Sequence, residues 1–118
     1  MPVRSLSSSI LKWPEPETVL RALHEWVAEV AGRRQEIARI GYLGSYARGD
    51  WGVGSDLDLV IIVESSAQPF EMRATEFDTT RLPVPVDLLI YTTEEWQRLS
   101  NQGRWQQAAK EIVWIHPR

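Results

Sequence analysis

The chain of 118 residues contains no cysteine. This absence excludes a disulfide framework, a thiolate nucleophile and a Cys-ligated zinc centre, and it is typical of proteins of the reducing cytoplasm. Apolar runs long enough to span a bilayer are also missing, and the opening stretch MPVRSLSSSILKWPEPE lacks the apolar core of a signal peptide. We therefore expect a cytoplasmic protein with no membrane partner.

An excess of basic residues is missing as well, since the formal net charge is -3. Proteins that hold a polynucleotide along a broad face are usually basic. A long nucleic acid is therefore not the expected ligand, although a local basic spot for one triphosphate is compatible with this charge. The chain length is enough for one domain.

Alternating helical and extended patterns predict an α/β (α+β) fold. Residues 1–16, rich in serine and proline, are expected to form a flexible N-terminal arm, and residues 17–118 a single domain. A capping box of Thr92 and Glu95 predicts one helix start. Strands are predicted at residues 37–43, 56–63, 84–92 and 111–116. Helices are predicted from about residues 15–18 to Gly32, from Ser45 onward, within residues 70–81, from Thr92 to Leu99 and at residues 104–110.

The stretch GSYARGDWGVGSDLDL, residues 44–59, places two aspartates at the mouth of an apolar strand. Side chains alternate across a strand, so Asp56 and Asp58 lie on the same side. Two close carboxylates repel each other, and a divalent cation such as Mg²⁺ removes that conflict. Asp87 lies in the other strong strand and becomes a third ligand if the two strands are neighbours.

Gly44 and Ser45 supply the complementary half of the chemistry. Glycine at a strand end allows a tight turn and the close approach of a ligand, and a helix start offers free N–H groups to a phosphate. Arg48 lies one helical turn after Ser45 and can share its face. A phosphate site beside a metal site is suited to phosphoryl or nucleotidyl transfer.

The order Gly-Ser, ten residues, Asp-Leu-Asp and a later strand aspartate resembles the minimal nucleotidyltransferases of the DNA polymerase beta superfamily. The resemblance implies a short mixed sheet with helices packed mainly on one face, a two-metal Mg²⁺ site and ATP as the nucleotide donor. It implies that Asp56, Asp58 and Asp87 are catalytic metal ligands. It also implies that Gly44 and Ser45 hold the triphosphate, together with Arg48, which matches the arginine of the GSxARG pattern.

Minimal members of this family often pair with a small helical ribonuclease toxin of the HEPN class. The resemblance therefore suggests an antitoxin that transfers AMP from ATP to a tyrosine of a HEPN-type toxin, in a homo- or hetero-oligomer. Two alternatives stay open: an antitoxin that binds and occludes its partner without turnover, and a nucleotidyltransferase that acts on a small molecule such as an aminoglycoside.

The chain has six tryptophans, a high number for its length. Core packing is the expected role for most of them, whereas Trp13, Trp51 or Trp105 could anchor a partner. His24 and His116 have no neighbouring ligands in the sequence, and we expect structural or solvated roles for both.

Overall fold

The structure, a computed structural model, describes residues 13–118. The predicted N-terminal arm falls mostly outside the described residues, and the first described helix begins at Pro16, inside the predicted arm boundary. Nine helices and strands follow one another in the described part of the chain. They are α1 (Pro16–Arg33), β1 (Ile37–Leu43), α2 (Ser45–Arg48), β2 (Leu57–Val63), α3 (Phe70–Arg73), β3 (Val86–Thr92), α4 (Thr93–Leu99), α5 (Gly103–Glu111) and β4 (Val113–His116).

Helix α1 forms because its apolar residues recur at helical spacing. Val19, Leu23 and Val27 are four residues apart and buried, so they form one continuous apolar stripe. Pro16 occupies the first turn, where a missing N–H costs nothing. Gly32 does not end the helix, which continues to Arg33.

The four strands form one mixed sheet in the order β3-β2-β1-β4. Strand β1 runs antiparallel to both β2 and β4, while β2 and β3 are parallel. Strand β2 is therefore interior, as its apolar sequence VIIV predicts. The connection from β2 to β3 crosses over through α3 and the 3-10 turn Ala74–Glu76.

Alternation along β2 divides the core into two clusters. Leu57, Leu59 and Ile61 pack with the buried stripe of α1 on one face of the sheet. Val60 and Ile62 pack on the other face, against Trp96 of α4 and the partly buried side chains of α5. Both faces of the central strand are thus covered by helix.

The expected α/β class with a short mixed sheet is confirmed, but two details differ. Helices cover both faces, because the chain after β3 folds back as α4 and α5 opposite α1. The predicted helix within residues 70–81 is reduced to α3 and the 3-10 turn, and the segment leaves helical conformation at Phe77.

The predicted capping box is present at the start of α4. The Thr92 hydroxyl accepts a hydrogen bond from the Glu95 N–H, and the Glu95 carboxylate accepts one from the Thr92 N–H. Within residues 13–118, no helix combines the length and the apolar character required to cross a bilayer.

Candidate active site

Strand β1 ends in a sharp turn at Gly44, and α2 begins at the next residue. Gly44 has a φ of 78°, a left-handed conformation that glycine adopts without strain. Its carbonyl accepts hydrogen bonds from the N–H groups of Ala47 and Arg48, which closes the turn. Because α2 has only four residues, its dipole is small. Any anion held here would rely on the first N–H groups of the turn and the Ser45 hydroxyl.

Two of the three predicted carboxylates are adjacent across the sheet. Asp58 at the start of β2 pairs in register with Asp87 at the start of β3. In a parallel pair, residues in register point to the same face, so the two side chains lie side by side. The sequence predicted that Asp87 joins the site only if its strand neighbours the strand of Asp58. The structure shows that β2 and β3 are neighbours.

The end of β1 lies beside these two carboxylates. We call the group formed by Gly44, Asp58 and Asp87 the corner of the sheet. Leu43 pairs with Asp58, so Gly44 follows directly beside the carboxylate. A Cβ built on Gly44 would overlap the Asp58 Oδ2. The glycine is therefore required here for space as well as for its backbone conformation. Three consecutive strands of the sheet thus bring Gly44, Asp58 and Asp87 together.

Asp58 has an unfavourable electrostatic environment for a carboxylate. It is partly buried, whereas Asp56 and Asp87 are exposed. Burial raises the pKa of Asp58, and the negative charges of Asp87 and Asp56 raise it further, while the positive charge of Arg48 acts in the opposite direction. A bound cation would relieve this repulsion.

A closed metal centre is not preformed among residues 13–118, where no three His, Cys, Asp or Glu side chains are gathered as a ligand set. The neighbouring oxygen donors of Asp58 and Asp87 have the chemistry that Mg²⁺ prefers. The assignment of Asp56, Asp58 and Asp87 as metal ligands, and of Gly44, Ser45 and Arg48 as triphosphate ligands, stays a prediction.

Arg48, at the end of α2, lies between two acidic residues. Its Nε donates to Asp50 Oδ2 at 3.1 Å, and its Nη1 lies 3.9 Å from Glu111 Oε1 at the end of α5. The guanidinium is about half exposed, and exposed ion pairs of this kind contribute little to stability. These two pairs therefore hold the Arg48 side chain only weakly. No feature of the sequence indicated the contact with Glu111, because it arises from the return of α5 to this corner.

A short glycine-rich segment, residues 49–55, joins α2 to the first aspartate, and we call it the glycine loop. Gly49 and Gly54 both have left-handed backbones, with φ of 85° and 87°. One hydrogen bond ties the loop to α2, and another closes a turn within the loop. The Asp50 N–H donates to the Ser45 carbonyl at 3.1 Å, and the Ser55 hydroxyl accepts from the Gly52 N–H at 2.8 Å. It is therefore a defined element of the site's border.

Comparison with known families defines the class of protein. The nucleotidyltransferase domain family matches residues 24–115, which include every residue of the candidate site. The chain belongs to the nucleotidyltransferase domain family. No protein with a curated description matches the chain.

A solved structure supports the same fold. The chain is similar to a candidate nucleotidyltransferase from Sulfolobus solfataricus, determined by crystallography at 1.40 Å resolution, with a TM-score of 0.61 and 22% sequence identity. The match covers 84% of this chain and 80% of the other. At this level of identity the likeness establishes the shared fold of the two chains.

Proposed function

We propose that the protein is a Mg²⁺-dependent nucleotidyltransferase that uses ATP as its donor. The observation that carries this proposal is the register of Asp58 with Asp87 beside the turn at Gly44. The family match over residues 24–115 supports nucleotidyl transfer as the class of reaction. In such a transfer, an acceptor hydroxyl oxygen forms a bond to the α-phosphorus of ATP as the bond between that phosphorus and the α,β-bridging oxygen breaks. Pyrophosphate leaves, and the hydroxyl proton passes to solvent.

Each residue of the corner has a proposed role. Asp58 and Asp87, with Asp56 just before β2, would hold the metal. Bound Mg²⁺ would supply positive charge to the carboxylates and to the triphosphate. Gly44 leaves room for the Asp58 carboxylate beside the turn, and Ser45 would donate its N–H and hydroxyl to the phosphates. Arg48 would leave Asp50 and Glu111 to bind a phosphate oxygen.

Calorimetric titration with ATP in the presence of Mg²⁺ tests this site. We expect binding by the natural protein and its loss in Asp58→Asn, because one metal ligand is weakened. Asp78→Asn is the matched control, since Asp78 is exposed and its carboxylate accepts hydrogen bonds from the neighbouring Thr80, while the Asp78 carbonyl that binds Trp26 is unchanged by the substitution. Without ATP, Asp58→Asn should fold normally and melt at the same or a slightly higher temperature, because repulsion is removed. ATP binding that is unaffected by Asp58→Asn would contradict the proposed site.

We further propose that the acceptor is a tyrosine of a helical HEPN-type partner, which would make the protein an antitoxin acting in the cytoplasm. The support for this step is the resemblance carried by residues 44–59 and Asp87. Exposed apolar side chains give the protein material for an interface. Phe70 on α3 is 41% exposed and lines a surface groove together with Tyr91 and Leu99.

Intact-mass spectrometry of the partner after incubation with ATP and Mg²⁺ tests the acceptor. We expect one adenylyl group on the partner with the natural protein and none with Asp58→Asn. A tight complex without a mass change, under conditions where ATP binds, would favour inhibition by occlusion. If no complex forms with the product of a neighbouring gene, a small-molecule acceptor becomes the better assignment.

A further inference from the structure

Trp51 differs from every other tryptophan of the chain in its surroundings. Trp26 and Trp96 are buried in the two core clusters, and the remaining three pack against those clusters as partly buried side chains. Trp51 packs in neither cluster and is 37% exposed, next to Val53, which is 75% exposed. Core packing therefore explains five of the six tryptophans and leaves Trp51 outside both clusters.

The position of Trp51 is set by the glycine loop. The hydrogen bond from the Asp50 N–H to the Ser45 carbonyl folds the loop back onto the start of α2. With standard backbone dimensions, this bond keeps the Trp51 Cα within roughly 8 Å of the Ser45 carbonyl oxygen. The other end of the loop leads directly into Asp56. The loop that carries Trp51 thus lies between the two halves of the candidate site.

We propose that Trp51 is a stacking platform for the base of the nucleoside triphosphate. This inference rests on the proposed function, because it requires the triphosphate to lie at Gly44 and Ser45. A single ribose separates the base from the α-phosphate, so a base attached to phosphates held there lies within reach of the loop. An indole offers a flat apolar face of the kind on which bases stack, and the Trp51 side chain is partly exposed to solvent.

Stacking of this kind recognises the presence of a base more than its identity, because every base has a π-face. The loop contributes no charged group other than Asp50, which is paired with Arg48. We therefore expect Trp51 to support ATP and GTP alike, and to contribute less to the binding of CTP, whose smaller ring stacks over less area. Selection among purines would depend on other groups.

The decisive experiment compares ATP with inorganic triphosphate, which has the phosphates but no base. Both are titrated calorimetrically with Mg²⁺ into the natural protein, Trp51→Ala, Trp51→Phe and the control Met72→Ala. Met72 is an exposed apolar residue on α3, which follows the opposite end of β2. We expect Trp51→Ala to weaken ATP binding by about fivefold to tenfold, the lower part of the range for loss of one base–aromatic stack.

Inorganic triphosphate should bind equally to all four proteins, and Trp51→Phe should retain most of the ATP affinity because an aromatic face is kept. Subtracting the fluorescence of Trp51→Phe from that of the natural protein isolates the emission of Trp51. This emission should fall when ATP is added and stay constant when inorganic triphosphate is added. If Trp51→Ala and the natural protein bind ATP with equal affinity, and triphosphate binding is intact, the stacking role of Trp51 would be wrong while the proposed function would still hold. Failure of the natural protein to bind either ligand would overturn the proposed function and this inference together.

Discussion

Gly44 illustrates how one residue couples backbone conformation to the chemistry of the corner. A side chain there meets two obstacles, the left-handed φ of 78° and the overlap with Asp58 Oδ2. The first obstacle alone, a positive φ combined with a ψ of -149°, costs about 1–3 kcal/mol for an ordinary residue. The second displaces the carboxylate that the site requires, so stability and ligand binding should fall together.

We predict that Gly44→Val lowers the free energy of unfolding by at least about 2 kcal/mol and abolishes ATP binding. Denaturant unfolding and calorimetric titration with MgATP measure the two effects. Gly32→Ala is the control, since a Cβ at Gly32 contacts nothing within 4 Å and lies in a helix. It should stabilise the protein by up to about 1 kcal/mol and leave ATP binding unchanged. Normal ATP affinity in a folded Gly44→Val would move the triphosphate to another surface.

Ser45 should be less sensitive than Gly44, because the backbone N–H groups of the turn remain when the hydroxyl is lost. We expect Ser45→Ala to weaken ATP binding by about fivefold, equivalent to one modest hydrogen bond of ~1 kcal/mol. A loss as large as that of Gly44→Val would show that the hydroxyl, and not the backbone, holds the phosphate.

Elements far from the site depend on a buried arginine that the sequence did not single out. Arg73 of α3 is 8% exposed at its side chain and makes two hydrogen bonds, of 2.6 and 3.1 Å, to the carboxylate of Glu95 in α4. Its remaining donors bind the carbonyls of Ile90 in β3 and Gln68. One guanidinium thereby joins α3, β3 and α4, and Glu95 also completes the capping box of α4.

We predict that Glu95→Gln destabilises the protein by about 1–2 kcal/mol, because the Arg73 charge stays buried without its counter-ion. The value is below that of a fully buried pair because about a third of the Glu95 side chain is exposed. Glu94 is the preceding residue of α4 and is exposed, so Glu94→Gln should have no measurable effect on the free energy of unfolding. Equal stability of the two variants in urea would show that the ion pair contributes nothing.

The same pair predicts a defined pH dependence. The Arg73 guanidinium lowers the pKa of Glu95 from 4.5 to about 2. A lowered pKa in the folded state stabilises the protein above the unfolded pKa, and that contribution is lost as the pH falls toward the folded value. The stability difference between the natural protein and Glu95→Gln should therefore be constant above about pH 5 and shrink between pH 4.5 and about 2.

Local patterns were sufficient to predict most elements of this fold. The glycine boundary of β1, the apolar run of β2 and the Thr92–Glu95 capping box all depend on neighbouring residues, and each is confirmed. The structure of residues 70–81, after β2, was harder to predict, since this segment has too few apolar residues to distinguish a helix from a turn. Arg73 could not be recognised as buried, because its partners come from 17 and 22 positions away.

The site combines local and long-range information in the same way. Residues 44–59 indicated the turn and the two aspartates, because they are contiguous. The placement of Asp87 beside Asp58 depends on a parallel pairing of strands separated by a crossover, which no local pattern encodes. The isolation of Trp51 likewise became visible only when the other tryptophans were found in the core clusters.

Because the corner is assembled from the ends of three strands, ligand binding should stabilise the fold as a unit. A ligand that binds only the folded state adds about 2.7 kcal/mol when its concentration is ~100 times its Kd. For a domain of this size, that corresponds to an increase in Tm of roughly 10 °C. We predict such an increase with MgATP, a much smaller one with ATP and excess chelator, and none for Asp58→Asn. Thermal unfolding followed by circular dichroism measures all three, with Asp78→Asn as the control expected to behave like the natural protein. A full increase in Asp58→Asn would mean that ATP binds away from the corner of β1, β2 and β3, and would contradict the assignment of these carboxylates.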